Sequence, residues 1–360
     1  SVTEVASVAI VAGGGDEAVT VLGRSTADHL AIGSPDDGSV SVEGLSYNVA
    51  ISDATTDDTL TIETGQGDDH IVVAAGVADV MNTSIDGGVG DDSIEGEFST
   101  ANGGNGNDVI IGGANDNVIV GGAGQDLIVG GGGGDTIDGG DGFDTILVQG
   151  TSGNDVIDVL QSSATELTYT VNGVTETDSL VAGSVEEAHV DAGAGADLVR
   201  VNWSDDLGVS AAEDALRMTV DGGPDGTSDR LVVVDDATDD LMLYRKGAAA
   251  GEGSVTVGPG NDQPLLAVFS GIETVNFVDE SGNAIVNDPN GPQLVVFKND
   301  PFETNDDRFI ATFLGGGATI NVDPTIDPGA LTNPFGDGFD LPGDRDFYRL
   351  VASKTGTLDF

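Results

Sequence analysis

The 360-residue chain carries 63 acidic against 11 basic side chains, a formal net charge of −52, with 38% hydrophobic residues and no cysteine. That charge excludes nucleic acid and anionic membranes as partners, since both require the opposite sign, and the lack of thiols excludes disulfides and thiolate zinc sites. The hydrophobic content is too high for a polar disordered tail, so a core is expected. No Lys or Arg stands between Arg24 and Arg200, so free cations must neutralise that stretch. No run of about 18 apolar residues is present for membrane insertion, no signal peptide is visible, and the start at Ser1 reads as a mature or trimmed end.

In chain order, residues 1–86 read as irregular N-terminal β-solenoid coils. Asp58–Ile62 and His70–Val73 alternate like half-buried strands, and TGQGDDHIV (Thr64–Val72) is a first, weak copy of a nine-residue unit. GGVGDDSIE follows at Gly87–Glu95. Seven irregular residues separate it from five unbroken copies between Gly103 and Leu147: GGNGNDVII, GGANDNVIV, GGAGQDLIV, GGGGGDTID and GGDGFDTIL. After Val148 and Gln149, GTSGNDVID ends the block at Asp158, so residues 87–158 form the expected repeat domain. Residues 159–287 read as degenerate coils. AGAGADLVR stands at Ala192–Arg200, a stretched copy at Gly222–Val232, a remnant at Gly258–Asp262, and β-rich runs include Leu167–Val171 and Leu231–Val234.

Glycine at positions 1, 2 and 4 lets the first six residues turn tightly through positive φ angles. Position 6 sets a carboxylate at the end of that turn. Position 8 (Ile94, Ile110, Ile119, Ile128, Ile137, Ile146, Ile157) turns one aliphatic side chain inward from a short strand. Two units make a coil of 18 residues. Coils stacked at about 4.8 Å, the spacing of paired strands, hold one another up. Aspartates two repeats apart then meet: Asp108 with Asp126, Asp126 with Asp144, and Asp135 with the turn of Asn117, where Asn115 and Asn117 replace glycine and aspartate. Carbonyls and carboxylates of adjacent turns suit Ca²⁺, which takes about six to eight oxygens, better than Mg²⁺ with its octahedral demand. The candidate metal ligands are Asp69, Asp92, Asp108, Asn117, Asp126, Asp135, Asp144, Asp155 and Asp197. Turn propensity suffices for isolated Asp16 or Asp53, but does not place Gly and Asp at fixed positions every nine residues.

These copies match G-G-x-G-x-D-x-U-x, with U a large aliphatic residue, and the block resembles the RTX (repeats-in-toxin) hemolysin-type calcium-binding family. The resemblance implies an all-β fold: a parallel β-roll or β-solenoid with stacked calcium-binding turns. It also implies export from a Gram-negative-type bacterium as an unfolded chain that folds outside the cell. Beyond the linker Asp288–Pro292, residues 293–360 are rich in Phe and Pro. Glu303-Thr304-Asn305-Asp306 and Gly343-Asp344-Arg345-Asp346-Phe347-Tyr348 resemble the boxes of pre-peptidase C-terminal domains, with one extra residue before the tyrosine. That likeness implies a small β-sandwich-like domain, incomplete at Phe360.

No catalytic constellation is expected. His29, His70 and His189 lie far apart, no G-x-S-x-G elbow appears, and Asp57-Asp58 is a pair that abundance explains. Gly130–Gly134 lacks the lysine of a phosphate loop. The expected role is a non-enzymatic, calcium-binding structural or adhesive module of a secreted or cell-surface bacterial protein. Its partners would be calcium ions, copies of itself, or surface glycans and proteins. The alternatives are an appendage of an exported protease, lipase or epimerase, and a subunit of an extracellular fibre.

Overall fold

The computed structural model describes residues 7–34, 38–203, 216–223, 228–235, 241–247, 249–258, 265–279 and 293–297. Among the described residues every regular element is a strand, and no helix is long and apolar enough to cross a membrane. The chain divides into two compact units, residues 1–149 with 160–191, and residues 150–159 with 192–360.

In the first unit the repeats form a parallel β-roll, the chain alternating between two sheets. One sheet stacks Asn82–Val89, Thr100–Asn105, Val118–Gly124 and Thr136–Gly142; the other stacks Ser93–Gly96, Val109–Ile111, Leu127–Val129 and Thr145–Thr151. The register follows the repeat: Thr100 pairs with Val118 and Val118 with Thr136, two nonapeptides per coil. Position-8 side chains therefore stack on themselves, Ile94, Ile110, Ile128 and Ile146 in one sheet and Ile119 on Ile137 in the other, all 0% exposed. Where seven irregular residues replace a repeat, the coil is shorter, Ser93 pairing with Val109, and buried Phe98 and Ala101 fill the interior.

Glycine is obligatory where turns stack. Gly106, Gly124 and Gly142 have positive φ, and a Cβ on any of them would collide with the carbonyl of the glycine one coil earlier.

Among the described residues, three antiparallel excursions interrupt the parallel pattern. In the first unit, His29–Gly33, Val40–Glu43 and Asn48–Ser52 form a meander. Glu166–Val171 and Val174–Leu180 form a hairpin, turning at Asn172 with φ 52° and Gly173 with φ 85°. The hairpin joins the sheet through Val174–Leu180, which runs parallel to Thr136–Gly142. The second unit stacks Leu198–Trp203, Arg230–Asp235 and Thr274–Asp279 in parallel, with Val201, Leu231 and Val233 buried. In the same unit Leu241–Lys246, Gly253–Gly258 and Leu265–Ser270 form the third meander, Arg217–Asp221 runs parallel to Leu265–Ser270, and Tyr244 packs on Phe269 and Phe277 at ring distances of 6.1 and 5.6 Å. Gln293–Phe297 runs parallel to Leu241–Lys246. The two boxes of the expected sandwich, at 303–306 and 343–348, lie outside the described residues.

Ile110 and Ile111 are neighbours with opposite faces, 0% and 37% exposed. In urea unfolding with Ca²⁺ present, Ile110→Ala should cost about 2–5 kcal/mol, the range for a buried aliphatic truncation. Ile111→Ala should cost well under half of that.

Candidate metal centre

Each repeat aspartate is buried at the end of its turn, and its two oxygens do different things. One accepts the backbone N–H of the equivalent residue in the preceding coil. The ladder runs through the first unit from Asp28 N–H to Asp69 Oδ1 at 2.6 Å, Asp69 to Asp92 at 2.7 Å, Asp92 to Asp108 at 2.7 Å, and Asp108 to Asp126 at 2.8 Å. It continues from Asp126 N–H to Asp144 at 2.8 Å and ends with Asp144 N–H on Glu186 Oε2 at 2.7 Å. On the other side of the roll, Asn117 N–H donates to Asp135 Oδ1 at 2.7 Å. The second unit has its own ladder, Asp155 to Asp197 at 2.7 Å, Asp197 to Asp229 at 2.8 Å, and Asp229 to Glu273 at 2.8 Å.

The other oxygen faces a cradle. Oδ2 of Asp69, Asp92, Asp108, Asp126, Asp135 and Asp144 is buried with no hydrogen-bond partner, and so is Oδ1 of Asn117. A Cβ built on Gly87 would lie 2.5 Å from Asp92 Oδ2 and 2.7 Å from the Gly103 carbonyl. Gly103 and Gly121 meet the same pair of groups, the aspartate of their own repeat and the position-1 carbonyl of the next coil. Bare glycine thus leaves room where a carboxylate oxygen and a carbonyl oxygen converge. Among the described residues no three acidic, His or Cys side chains gather at one point, so an ion here would rely mostly on carbonyl oxygens. Such a mixed, flexible oxygen set suits Ca²⁺.

The candidate residues are not equivalent. Asp69, Asp92, Asp108, Asp126 and Asp144 share one ladder, while Asn117 and Asp135 stand together on the opposite side. Asn117 turns its amide nitrogen to the Phe98 carbonyl and leaves its oxygen aimed at the Gly112 cradle, where an aspartate would put Oδ2. Asp155 and Asp197 belong to the second unit's ladder. Asp155 differs because position 2 of its repeat is Thr151, whose N–H and hydroxyl bond both carboxylate oxygens, at 2.6 Å for the N–H.

Sequence reasoning missed the ladder members outside nonapeptides, Asp28, Asp178, Glu186 and Glu273; Asp229 stood within the stretched copy at Gly222–Val232. It also missed an exposed ladder at position 5. There Asp91, Asn107 and Gln125 donate their N–H groups to the side chains of Asp68, Asp91 and Asn107, at 3.0, 2.8 and 2.8 Å. The recurrence of Asp or Asn at position 5 was its available signal. Asp58 has Glu17 and Thr55 N–H groups on its oxygens, which hold its carboxyl below the usual range.

Burial first, and neighbouring carboxylates second, oppose ionisation in the main ladder, while the N–H bonds favour it. The carboxyls of Asp92 and Asp135 are pushed up to about 7 and those of Asp108 and Asp144 to about 6, against an ordinary 3.8. Asp126 moves the same way. A folded value above the unfolded one means that the metal-free coil holds protons the unfolded chain has lost. That contribution is complete below about pH 4 and disappears as pH rises through about 6 to 7. In EDTA, circular dichroism should therefore show more β-structure at about pH 5 than at about pH 7.5, while Ca²⁺ affinity should rise over the same interval as carboxylates ionise. A metal-free β-signal that grows with pH would contradict this.

The comparisons agree with the geometry. The model of the RTX calcium-binding nonapeptide repeat (4 copies) matches residues 81–99, 100–128 and 111–146. No curated protein matches the chain. RTX repeat proteins are typically secreted by Gram-negative bacteria, and the repeat is a structural module that is generally non-catalytic. Residues 81–146 therefore carry RTX calcium-binding nonapeptide repeats, a repeat type that binds Ca²⁺.

Proposed function

We propose that this chain is a structural or adhesive module of a secreted or cell-surface bacterial protein, and that it folds when it meets extracellular Ca²⁺. The observation that carries this reading is the row of buried Oδ2 atoms without a hydrogen-bond partner, those of Asp92, Asp108, Asp126 and Asp144 each beside a backbone carbonyl. Burying an ionised carboxylate without a counter-charge costs several kcal/mol, and the block from Arg24 to Arg200 supplies no cationic side chain within it. A bound cation removes that cost, so binding energy becomes folding energy. Asp69, Asp92, Asp108, Asp126, Asp135 and Asp144 hold the ions, with Asn117 as a neutral oxygen donor and Asp197 in the equivalent place in the second unit. The affinity expected is the weak range of extracellular modules, about 10⁻⁴ to 10⁻³ M. That range leaves the chain metal-free at the sub-micromolar calcium of a cytoplasm.

The test is a far-ultraviolet circular dichroism titration from EDTA. Ca²⁺ should produce a cooperative gain of β-signal at neutral pH, and Mg²⁺ at equal concentration should not. A spectrum already fully β in EDTA and indifferent to Ca²⁺ would overturn the reading.

A further inference from the structure

On the side of the roll that holds Asn117 and Asp135, the chain supplies no further nonapeptide to the first unit. The next strand in that sheet is Val174–Leu180 of the hairpin, with Thr136 paired to Ser179 and Ser179 N–H on the Asp135 carbonyl at 2.7 Å. This register sets Asp178 beside Asp135, where the next repeat aspartate would stand. Asp178 is 0% exposed; the Asp135 N–H and the Tyr169 hydroxyl lie against its carboxylate, but neither reaches the geometry of a full hydrogen bond to its buried oxygens. A Cβ on Gly130 would lie 2.5 Å from Asp135 Oδ2 and 3.1 Å from Asp178 Oδ2. At the other cradles the second oxygen is a carbonyl; here it is a second carboxylate.

Two further oxygens stand close by. Tyr169, 6% exposed, pairs with Glu176 across the hairpin, and its hydroxyl lies against Asp178 without closing a well-aligned bond. Glu176 reaches the repeat turn, accepting the Gly133 N–H at 2.9 Å. Two buried like charges flanking one point oppose folding unless a cation lies between them. The hard oxygen donors favour Ca²⁺ over Zn²⁺, which prefers nitrogen and sulfur.

We propose that Asp135 and Asp178, with the Tyr169 hydroxyl beside them, form a divalent-cation site suited to Ca²⁺ that clamps the 166–180 hairpin onto the last repeat turn of this side. The inference rests on the reading that repeat turns take Ca²⁺, and extends it to a ligand outside every nonapeptide. The ion would couple the folding of the hairpin to that of the repeats.

The test compares the full chain with Asp178→Asn, and with Asp126→Asn as a control in the main ladder, by calorimetric counting of bound Ca²⁺ and by melting with and without it. Asp178→Asn should bind one ion fewer per chain and lose part of the Ca²⁺-induced rise in Tm. In EDTA it should melt no lower than the parent, because the substitution removes a buried charge. A merely structural Asp178 would not split the two conditions in that way. If Asp178→Asn keeps the parent's ion count while Asp126→Asn loses one, this inference falls and the proposed function stands. If both keep it, both fall. Tyrosine-sensitised Tb³⁺ emission gives a second readout that leaves the carboxylates intact: Tyr169→Phe should lower it at equal bound Tb³⁺, and an undiminished signal would count against the site.

Discussion

The architecture depends on the carboxylate at the sixth position of the nonapeptide and on the division of work between its oxygens. One oxygen ties a coil to the backbone of its neighbour, as in the 2.8 Å bonds linking Asp108, Asp126 and Asp144. The other is left buried and unpartnered. The first interaction buries the carboxyl and is strongest when it is ionised; the second makes the buried, ionised state unfavourable unless a cation or a proton arrives. A structural hydrogen bond and the proposed metal ligand thus reside in one side chain, repeated along the ladder.

The hydrophobic core is too thin to override this. Each repeat adds one fully buried position-8 isoleucine, such as Ile119 or Ile128, and stacks it on its equivalent one coil away. In a solenoid this interior is stable only through neighbour contacts. Glycine removes the Cβ that would occupy the cradle and so keeps it open, as Gly87 and Gly130 illustrate.

The ends of the ladders show how the chain closes a structure that could otherwise continue. Asp28, at the start of the main ladder, is met by the Arg24 guanidinium, a side-chain cation in a place where later members have none. At the other end Glu186 reaches the Asp144 N–H from outside any repeat. On the opposite side, Asn117 gives its amide to the Phe98 carbonyl, beneath a turn where Glu97 accepts the Ala114 N–H at 3.1 Å. Of these contacts only the Arg24 guanidinium brings a counter-charge; Glu186 sets a further carboxylate beside Asp144.

The repeat, its 18-residue register and the isoleucine column were legible in the sequence, because each depends on residues a fixed short distance apart. Positional identity alone placed Asp108, Asp126 and Asp144 in one row. The partners that close the rows were not legible. Glu186 meets Asp144 across 42 residues and Glu273 meets Asp229 across 44, with no periodic signal connecting them. Nor did Leu167–Val171 announce a hairpin, since an alternating strand reads the same whether it pairs parallel or antiparallel; the tight turn at Asn172 and Gly173 decides that. Local repetition determined which groups recur and at what spacing. Only the tertiary structure decided which non-repeat carboxylates, Asp178 among them, enter the buried rows, because strand pairing between distant segments sets their depth and register.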